Sequence, residues 1–397
     1  MKILSIETSC DETGISLLER PEGSQSLVLL GNALASQIAL HAQYGGVFPA
    51  MAKRAHAEKI IPLTKECLAQ ASMLTEQEST LGTDNRETIV SICTHEDEMI
   101  NEFVTFFNTY EKPDIDYIAV TVGPGLEPAL WVGINAAKVL SIVWNIPVIP
   151  VNHMEGHVVT AAVSETDKTY TFNDLEFPIL ALLVSGGHTE LVLTKSYGEY
   201  EKIGQTRDDA TGEAFDKVAR MLGLPYPGGP AVSKLAKEFR ASGKAQPFDM
   251  PRPMLHSQDY DFSFSGLKTA MLYAIRDLTD NHTRELTDEE KSALAAAFED
   301  AAIEVLIKKT AKAAEEFYTQ TIIVGGGVSG NTYLKEQLIE YIAKKLPGVA
   351  VLFPEPWLAT DNAVMIGLAA YARIMNDTFV AQSAETLKAN GNLSIAQ

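Results

Sequence analysis

The hexapeptide Asn152-His153-Met154-Glu155-Gly156-His157 follows directly on the apolar run Ile146-Pro147-Val148-Ile149-Pro150-Val151. If that run is a buried strand and a helix begins at Asn152, a good N-cap residue type, the two histidines stand four apart on one helix face. Two imidazoles so placed can share one divalent metal ion. The plainer reading is one partly buried histidine and one solvated one, and the spacing leaves both open. The residue between them narrows the chemistry. A zinc-protease helix reads H-E-x-x-H, whereas Glu155 lies two residues after His153, roughly 200° around the helix, and points away from a shared ion. Peptide hydrolysis is therefore a poor fit.

Polar turns elsewhere could serve such a centre. Residues 3 to 6 and 15 to 18 read as strands joined by Glu7-Thr8-Ser9-Cys10-Asp11-Glu12-Thr13-Gly14, a hydroxyl-rich turn able to aim N–H groups at a phosphate, or merely to turn the chain. A second hairpin of similar form runs from Ile179 to Val184, through Ser185-Gly186-Gly187-His188-Thr189, to Glu190 to Thr194, which points to two related lobes. Its glycines permit close backbone approach, and Ser185, His188 and Thr189 can meet a phosphate or acyl oxygen; a turn kept for its twist is the plain alternative. Asp208 to Lys217 opens an acidic helix start, and Tyr226-Pro227-Gly228-Gly229-Pro230 is a rigid turn before another helix. Carboxylates there suit ribose hydroxyls, or simply complement the helix dipole.

Lys268 stands at a helix start, an unusual end for a cation, and so points to an anion nearby. The strand Thr321 to Val324 runs into Gly325-Gly326-Gly327, bare backbone against which an adenine could lie. Neither an early G-x-G-x-x-G unit nor a G-x-x-x-x-G-K-[ST] loop is present. The last helix is expected to start near Thr360, its cap, and to run to about Arg373. Asp361 in its first turn reads either as a plain capping acid or as a third, oxygen ligand to the ion of His153 and His157.

The remaining elements must position these groups. An amphipathic helix is expected to run from the basic segment at Lys53, Arg54 and Lys59 to about Gln70, and a surface insertion with one short helix over about 72–112. Strand Tyr117 to Val122, the turn Gly123-Pro124-Gly125-Leu126 and a helix to Val143 then form an α/β unit. A long apolar-periodic helix over Asp288 to Tyr318 reads as structural. At 397 residues, 46% apolar and 21% charged, the chain has room for two or three domains with sizeable cores. Cys10, Cys67 and Cys93 form no C-x-x-C pair, which suits a reducing compartment, and with no signal-peptide pattern the expected location is the cytoplasm. A formal charge of -20 repels polyanions, so a nucleic-acid partner needs a local basic patch or a second protein.

Taken together, these stretches resemble the tRNA N6-adenosine threonylcarbamoyltransferases, TsaD in bacteria, formerly described as O-sialoglycoprotein endopeptidases. The resemblance rests on Ile6 to Thr13, Tyr44-Gly45-Gly46-Val47, Gly123 to Leu126, Asn152 to His157, Leu183 to Thr189, Gly212 to Lys217, Tyr226 to Pro230, Phe262 to Lys268 and Thr360-Asp361-Asn362, in family order. It implies an α/β, two-lobed fold shared with actin-like ATPases and sugar kinases, with the active site between lobes. The expected division is a first lobe over 1–151, a second over 152–358 carrying the nucleotide site, and a helix and tail over 359–397 returning to the first.

The resemblance further implies His153, His157 and Asp361 as ligands of one divalent metal, iron or zinc. It implies contacts from Leu183, Val184, Ser185, Gly186, Gly187, Asp216, Gly229 and Asn331 to a threonylcarbamoyl adenylate, or to ATP in the cleft. Asp11 and Glu12 are expected to position groups or move a proton. The implied partners are tRNA, an inactive TsaB-like paralogue and a small TsaE-like P-loop ATPase, with Lys53, Arg54, Lys59, Arg252 and Lys268 as a basic path for tRNA. Three features depart from the family pattern: the length of 72–112, Glu127-Pro128 after the Gly123 turn, and the tail after Asn376. A small-molecule kinase of the same fold would want an Asp-Gly-Thr first hairpin, where Glu7 stands here, and a non-catalytic scaffold would not need the metal ligands.

Overall fold

A computed structural model describes residues 1–77, 80–94, 96–281, 283–379 and 382–396. Its first half folds as β1 (Lys2–Glu7), β2 (Glu12–Glu19), β3 (Leu27–Ser36), α1 (Ile38–Ala42), α2 (Pro49–Gln70), α3 (Thr83–Ile92), α4 (Asp97–Thr109), β4 (Tyr117–Gly123), α5 (Glu127–Trp144), β5 (Val148–Asn152), α6 (His153–Ala161), β6 (Val163–Thr166) and β7 (Thr169–Phe172). The strands form one seven-stranded sheet, ordered β5-β4-β1-β2-β3-β7-β6. β1, β4 and β5 are parallel, because α5 supplies the crossover that a parallel pair requires, and the rest are antiparallel hairpins. Asp167 and Lys168, at φ +48° and +62°, make the tight turn between β6 and β7. This hairpin pairs with β3, so the first sheet draws on the chain as far as Phe172, past the boundary of 151.

The second half contributes β8 (Ile179–Val184), β9 (Thr189–Ser196), β10 (Glu199–Gln205), α7 (Thr211–Met221), α8 (Gly228–Ala241), α9 (Ser265–Leu278), α10 (Asp288–Glu316), β11 (Thr321–Gly325), α11 (Thr332–Lys345), β12 (Ala350–Leu352) and α12 (Ala363–Met375). Read from the parallel edge, its sheet runs β12-β11-β8-β9-β10, the same order as β5-β4-β1-β2-β3. The two sheets are thus two copies of one five-strand arrangement, the two-lobed α/β fold expected. α10 starts at a full capping box between Thr287 and Glu290 and buries an alanine-rich face in the second core. α12 then leaves this lobe and packs on the back of the first sheet, against β1, β2 and β5.

The 72–112 segment differs from the expected surface insertion. Its described residues form two helices, and Met99, Phe103, Phe106 and Phe107 on α4 are buried in the first core. Their spacing puts them on one helix face, and Phe106 and Phe107 each lie 6.0 Å from the Trp144 ring. The tail after Asn376, which departs from the family pattern, is strapped to the same lobe. Ala384 and Leu387 enter the first core, Asn390 N donates to Val122 O at 2.9 Å, and Asn152 Nδ2 donates to Ser394 O at 3.1 Å. Among the described residues no helix is long and apolar enough to cross a membrane.

Candidate metal centre and substrate cleft

α6 begins where β5 ends, with Asn152 as both last strand residue and cap: its Oδ1 accepts from Met154 N at 2.9 Å. The helix is wedged between the sheets, touching β4 and β5 on one side and β8 and β11 on the other. The rings of His153 and His157 lie 4.8 Å apart, nearly perpendicular. Their Nε2 atoms reach Asp361 Oδ1 at 3.4 and 3.2 Å. One ligand atom from each of the three residues lies within 4.8 Å of the others. Asp361 comes from the turn before α12. That helix is capped by Asn362, whose Oδ1 accepts from Met365 N at 3.0 Å, and not by Thr360, so Asp361 is left to face the histidines.

Behind His153 stands a second set of groups. Its Nδ1 lies 3.2 Å from Glu7 Oε2 and 3.1 Å from Ser9 Oγ. Glu7 is itself held by Thr121 Oγ1 at 2.5 Å and by Ser9 N at 2.6 Å. A carboxylate on Nδ1 orients the ring and leaves Nε2 to bind an ion. Burial opposes ionisation of Asp361, yet attraction to His153 and hydrogen bonds from both rings outweigh it and hold the carboxyl below its usual range. Burial likewise opposes a charge on His153, and Asp361 and Glu7 overcome it, raising the ring well above its ordinary value. Two carboxylates thus face the His153 ring, Glu7 at Nδ1 and Asp361 at Nε2. Two imidazole nitrogens and a carboxylate oxygen form a donor set suited to zinc or ferrous iron, and the protein's residues fit such an ion. Glu155 does point away, to Arg373 and Tyr200.

The second hairpin forms a wall of the same cleft. Leu183 and Val184 bury their side chains, so only their backbone can face a ligand. Ser185 N donates to His188 O, and Ser185 Oγ accepts from the N–H groups of Gly187 and His188. Gly186 and Gly187 are exposed, with open space where a Cβ would stand. Burial, then the charges of His153 and His157, push His188 down to about 4, so its ring is neutral. Asp216 accepts from Gly228 N at 2.7 Å, and burial raises its carboxyl. Gly229 beside it is open. Asn331 is more committed: it caps α11 and donates to Ser233 Oγ and Glu299 Oε1 at 3.0 and 2.8 Å.

The glycine triplet divides between two uses. A Cβ on Gly325 would lie 2.7 Å from His157 O and one on Gly326, at φ +87°, 2.5 Å from Val184 O, so both are spent on close packing. Gly327 alone of the three is exposed. The anion beside Lys268 is Asp209, 3.4 Å away. Asp208 caps α9 through Phe264 N at 2.8 Å and the Ser263 hydroxyl. On the first turn Asp11 is buried. Glu12 is half-buried and takes a hydrogen bond from Ser36 Oγ; burial, with Asp361 and Asp11 nearby, pushes its carboxyl up to about 9.

The expected basic path is largely neutralised. Lys53 pairs with Glu96, Arg54 with Glu58, Arg252 with Glu304 and Asp249, and Lys268 with Asp209, while Lys59 is exposed. The bracket of Glu7, Ser9 and Thr121 escaped the sequence reading as ligand support. Burial of a strand-end glutamate is the only local signal for it, and Thr121 has none.

The TsaD family model, tRNA N6-adenosine threonylcarbamoyltransferase, matches residues 28–79 and 97–368, leaving out 80–96 with α3. Proteins of that name from Ralstonia pickettii and Chromobacterium violaceum are 43% and 41% identical, over 95% and 94% of this chain and 92% and 93% of theirs. One from Acidovorax sp. is 42% identical over 94% of this chain and 91% of its own. Among solved structures, full-length HypF in its phosphate- and nucleotide-bound form covers 70% of this chain and 42% of its own at a TM-score of 0.46 and 15% identity, too distant to bear on the chemistry. On the family match and the relatives spanning nearly its whole length, the chain belongs to the TsaD family, the tRNA N6-adenosine threonylcarbamoyltransferases.

Proposed function

We propose that this chain transfers the threonylcarbamoyl group of threonylcarbamoyl-AMP to N6 of the adenosine 3′ of the anticodon, in tRNAs reading codons that start with A. The observation that carries this reading is the convergence of His153, His157 and Asp361 between two lobes, beside an exposed glycine hairpin. In the reaction N6 bonds to the carbamoyl carbon, the carbon–oxygen bond to phosphate breaks, and the electron pair leaves on AMP. N6 gives up one proton.

The residues take the following parts. Ser185, Gly186 and Gly187, with the backbone of Leu183 and Val184, hold the phosphate, and Asp216 and Gly229 meet the ribose. Gly327 receives the adenine, and Asn331 holds the start of α11 beside it. His153, His157 and Asp361 hold the ion, with Glu7 fixing the His153 ring. Lewis-acid polarisation of the carbamoyl carbonyl, and a charge for the threonyl carboxylate, are what iron or zinc supplies when bound. Asp11 positions the amine and takes its proton, while Glu12, whose raised carboxyl already holds a proton, only positions it; a mixed anhydride needs little acid help to expel AMP.

A chain of charge -20 in which four of the five expected tRNA-contacting cations are ion-paired holds tRNA poorly alone. A TsaB-like paralogue and a TsaE-like ATPase in the cytoplasm complete the assembly, and Lys59, which among the described residues is the one of the five expected cations in no ion pair, meets the phosphates. The test is transfer of labelled threonylcarbamoyl adenylate to unmodified tRNA, with those partners present, by wild type and His153→Ala. Label should reach tRNA only with wild type. Equal transfer by both would remove the metal centre from the chemistry.

A further inference from the structure

α6 is buried along its whole length, and its Glu155 turns from the ligand atoms into the seam between α6, α12 and β10. There Glu155 Oε2 lies 2.5 Å from Arg373 Nη2, and Tyr200 Oη donates to Glu155 Oε1 at 2.9 Å. Arg373 Nη1 also donates to Pro150 O, 3.3 Å away on the strand that runs into α6. Glu155 is fully buried, and Arg373 keeps a quarter of its side-chain surface. Glu155 occupies the first turn of α6 and Arg373 the last turn of α12, so each charge also meets the helix end that favours it.

A buried ion pair adds little stability over an apolar contact of the same shape, and its best-attested use is to fix register. Register is what this centre needs. His153 and His157 ride on α6, while Asp361, 204 residues from His157 in the chain, sits at the entry to α12. Ligand distances tolerate errors of only about 0.2 Å. Gly156 sets how closely the two helices approach, since a Cβ there would meet Met365 Cγ at 2.9 Å. Smooth contact at a glycine does not stop one helix sliding along the other. A buried ion pair does, when each partner is also tied by a hydrogen bond, Glu155 Oε1 accepting from Tyr200 of the second lobe and Arg373 Nη1 donating to Pro150 O.

We propose that Glu155, Arg373 and Tyr200 form a register clamp for the metal centre, in which Glu155 and Arg373 are positioning residues that touch no substrate. The inference rests on the metal reading of His153, His157 and Asp361. Its test measures Zn²⁺ affinity by competition with a coloured chelator, and the absorption bands of the Co²⁺ form, which report coordination geometry. The proteins are wild type, Glu155→Gln, Arg373→Met, Arg373→Lys and Tyr200→Phe, each with the thermal midpoint of its metal-free form. Glu155→Gln and Arg373→Met should lose about 10–100-fold in Zn²⁺ affinity and shift the Co²⁺ bands. Arg373→Lys should recover part of the loss, and Tyr200→Phe should show a smaller one in the same direction.

Variants with lowered midpoints but wild-type affinity and Co²⁺ spectrum would make the cluster a plain stability element and overturn the clamp alone. A wild-type chain that binds neither ion overturns the metal reading and the clamp together. Should Glu155→Gln not fold, Tyr200→Phe still decides, because it removes one hydroxyl and little else: an unchanged affinity and spectrum count against the proposal.

Discussion

The turn between β1 and β2 and the turn between β8 and β9 hold equivalent places in the two lobes, yet they present opposite surfaces. In the first, Thr8, Ser9 and Asp11 are 1%, 1% and 8% exposed, and the hydroxyls point inward, Thr8 to Ala129 O and Ser9 to His153. In the second, Gly186 and Gly187 stand in the open. Two polar hairpins of similar composition have thus divided the work. On the proposed function, the first brackets the metal-facing His153 and the second offers bare backbone to a phosphate. The cause is what lies behind each. α5 and β4 cover the first turn and require its polar groups to be paired, whereas the start of α7 abuts the second through Gly212 and leaves Gly186 and Gly187 exposed.

This contrast can be broken in stages. The largest effect belongs to the ion itself: His157→Ala should lower Zn²⁺ affinity beyond the roughly 100-fold reached by outer groups, with transfer lost. Equilibrium dialysis checks it, and near-normal binding would mean that His157 is no ligand. Next, Glu7→Gln in the first turn should cost about 10–100-fold in metal affinity while leaving adenylate binding in place. A loss of nucleotide affinity with metal retained would reverse the roles given to the two hairpins.

A disturbance of the second turn should do the opposite. Gly212→Ala puts a Cβ 2.7 Å from Ser185 O and 2.9 Å from Gly186 N, an overpacking worth about 1–3 kcal/mol. Calorimetric titration should show weaker adenylate binding and unchanged zinc binding. Gly187→Ala, which meets open space, should keep stability within about 0.5 kcal/mol and alter nucleotide affinity alone.

The smallest effect concerns the support under the first turn. His56 Nε2 donates to Cys10 O at 3.0 Å, which leaves Nδ1 to accept from Thr13 Oγ1 at 2.7 Å. Burial holds this ring below its ordinary value of 6.5, so it stays neutral when the unfolded chain has begun to take up a proton. Its contribution to stability is full above that value and is lost as pH falls below it, with a slope of at most about 1.4 kcal/mol per pH unit. Urea unfolding at about pH 7.5 and about pH 5.5 should show His56→Gln with a shallower dependence than wild type. Equal slopes would place the proton uptake elsewhere.

Much of this site is written locally. Asn152 caps α6 and spaces the histidines one turn apart, and the glycines mark both the open turn at Gly186 and the close approach at Gly325. The aromatic face of α4 was also legible in the i, i+4, i+7, i+8 spacing from Met99 to Phe107, although the polar residues around it read as surface. Other features carry no local sign. Nothing near Lys268 names Asp209 as its anion, and nothing near Glu155 names Arg373 as its partner.

What the sequence determined alone is therefore whatever depends on neighbours within about a turn or a strand: helix faces, caps, hairpins, and the bare backbone of glycine. What only the tertiary structure decided is which of those faces meet. Glu7, Thr121, His153 and Asp361 lie far apart in the chain and converge because two sheets clasp α6 and α12 returns to the first of them. A ligand set assembled by packing has no spacing to read, since packing depends on the complementarity of whole surfaces and not on sequence separation.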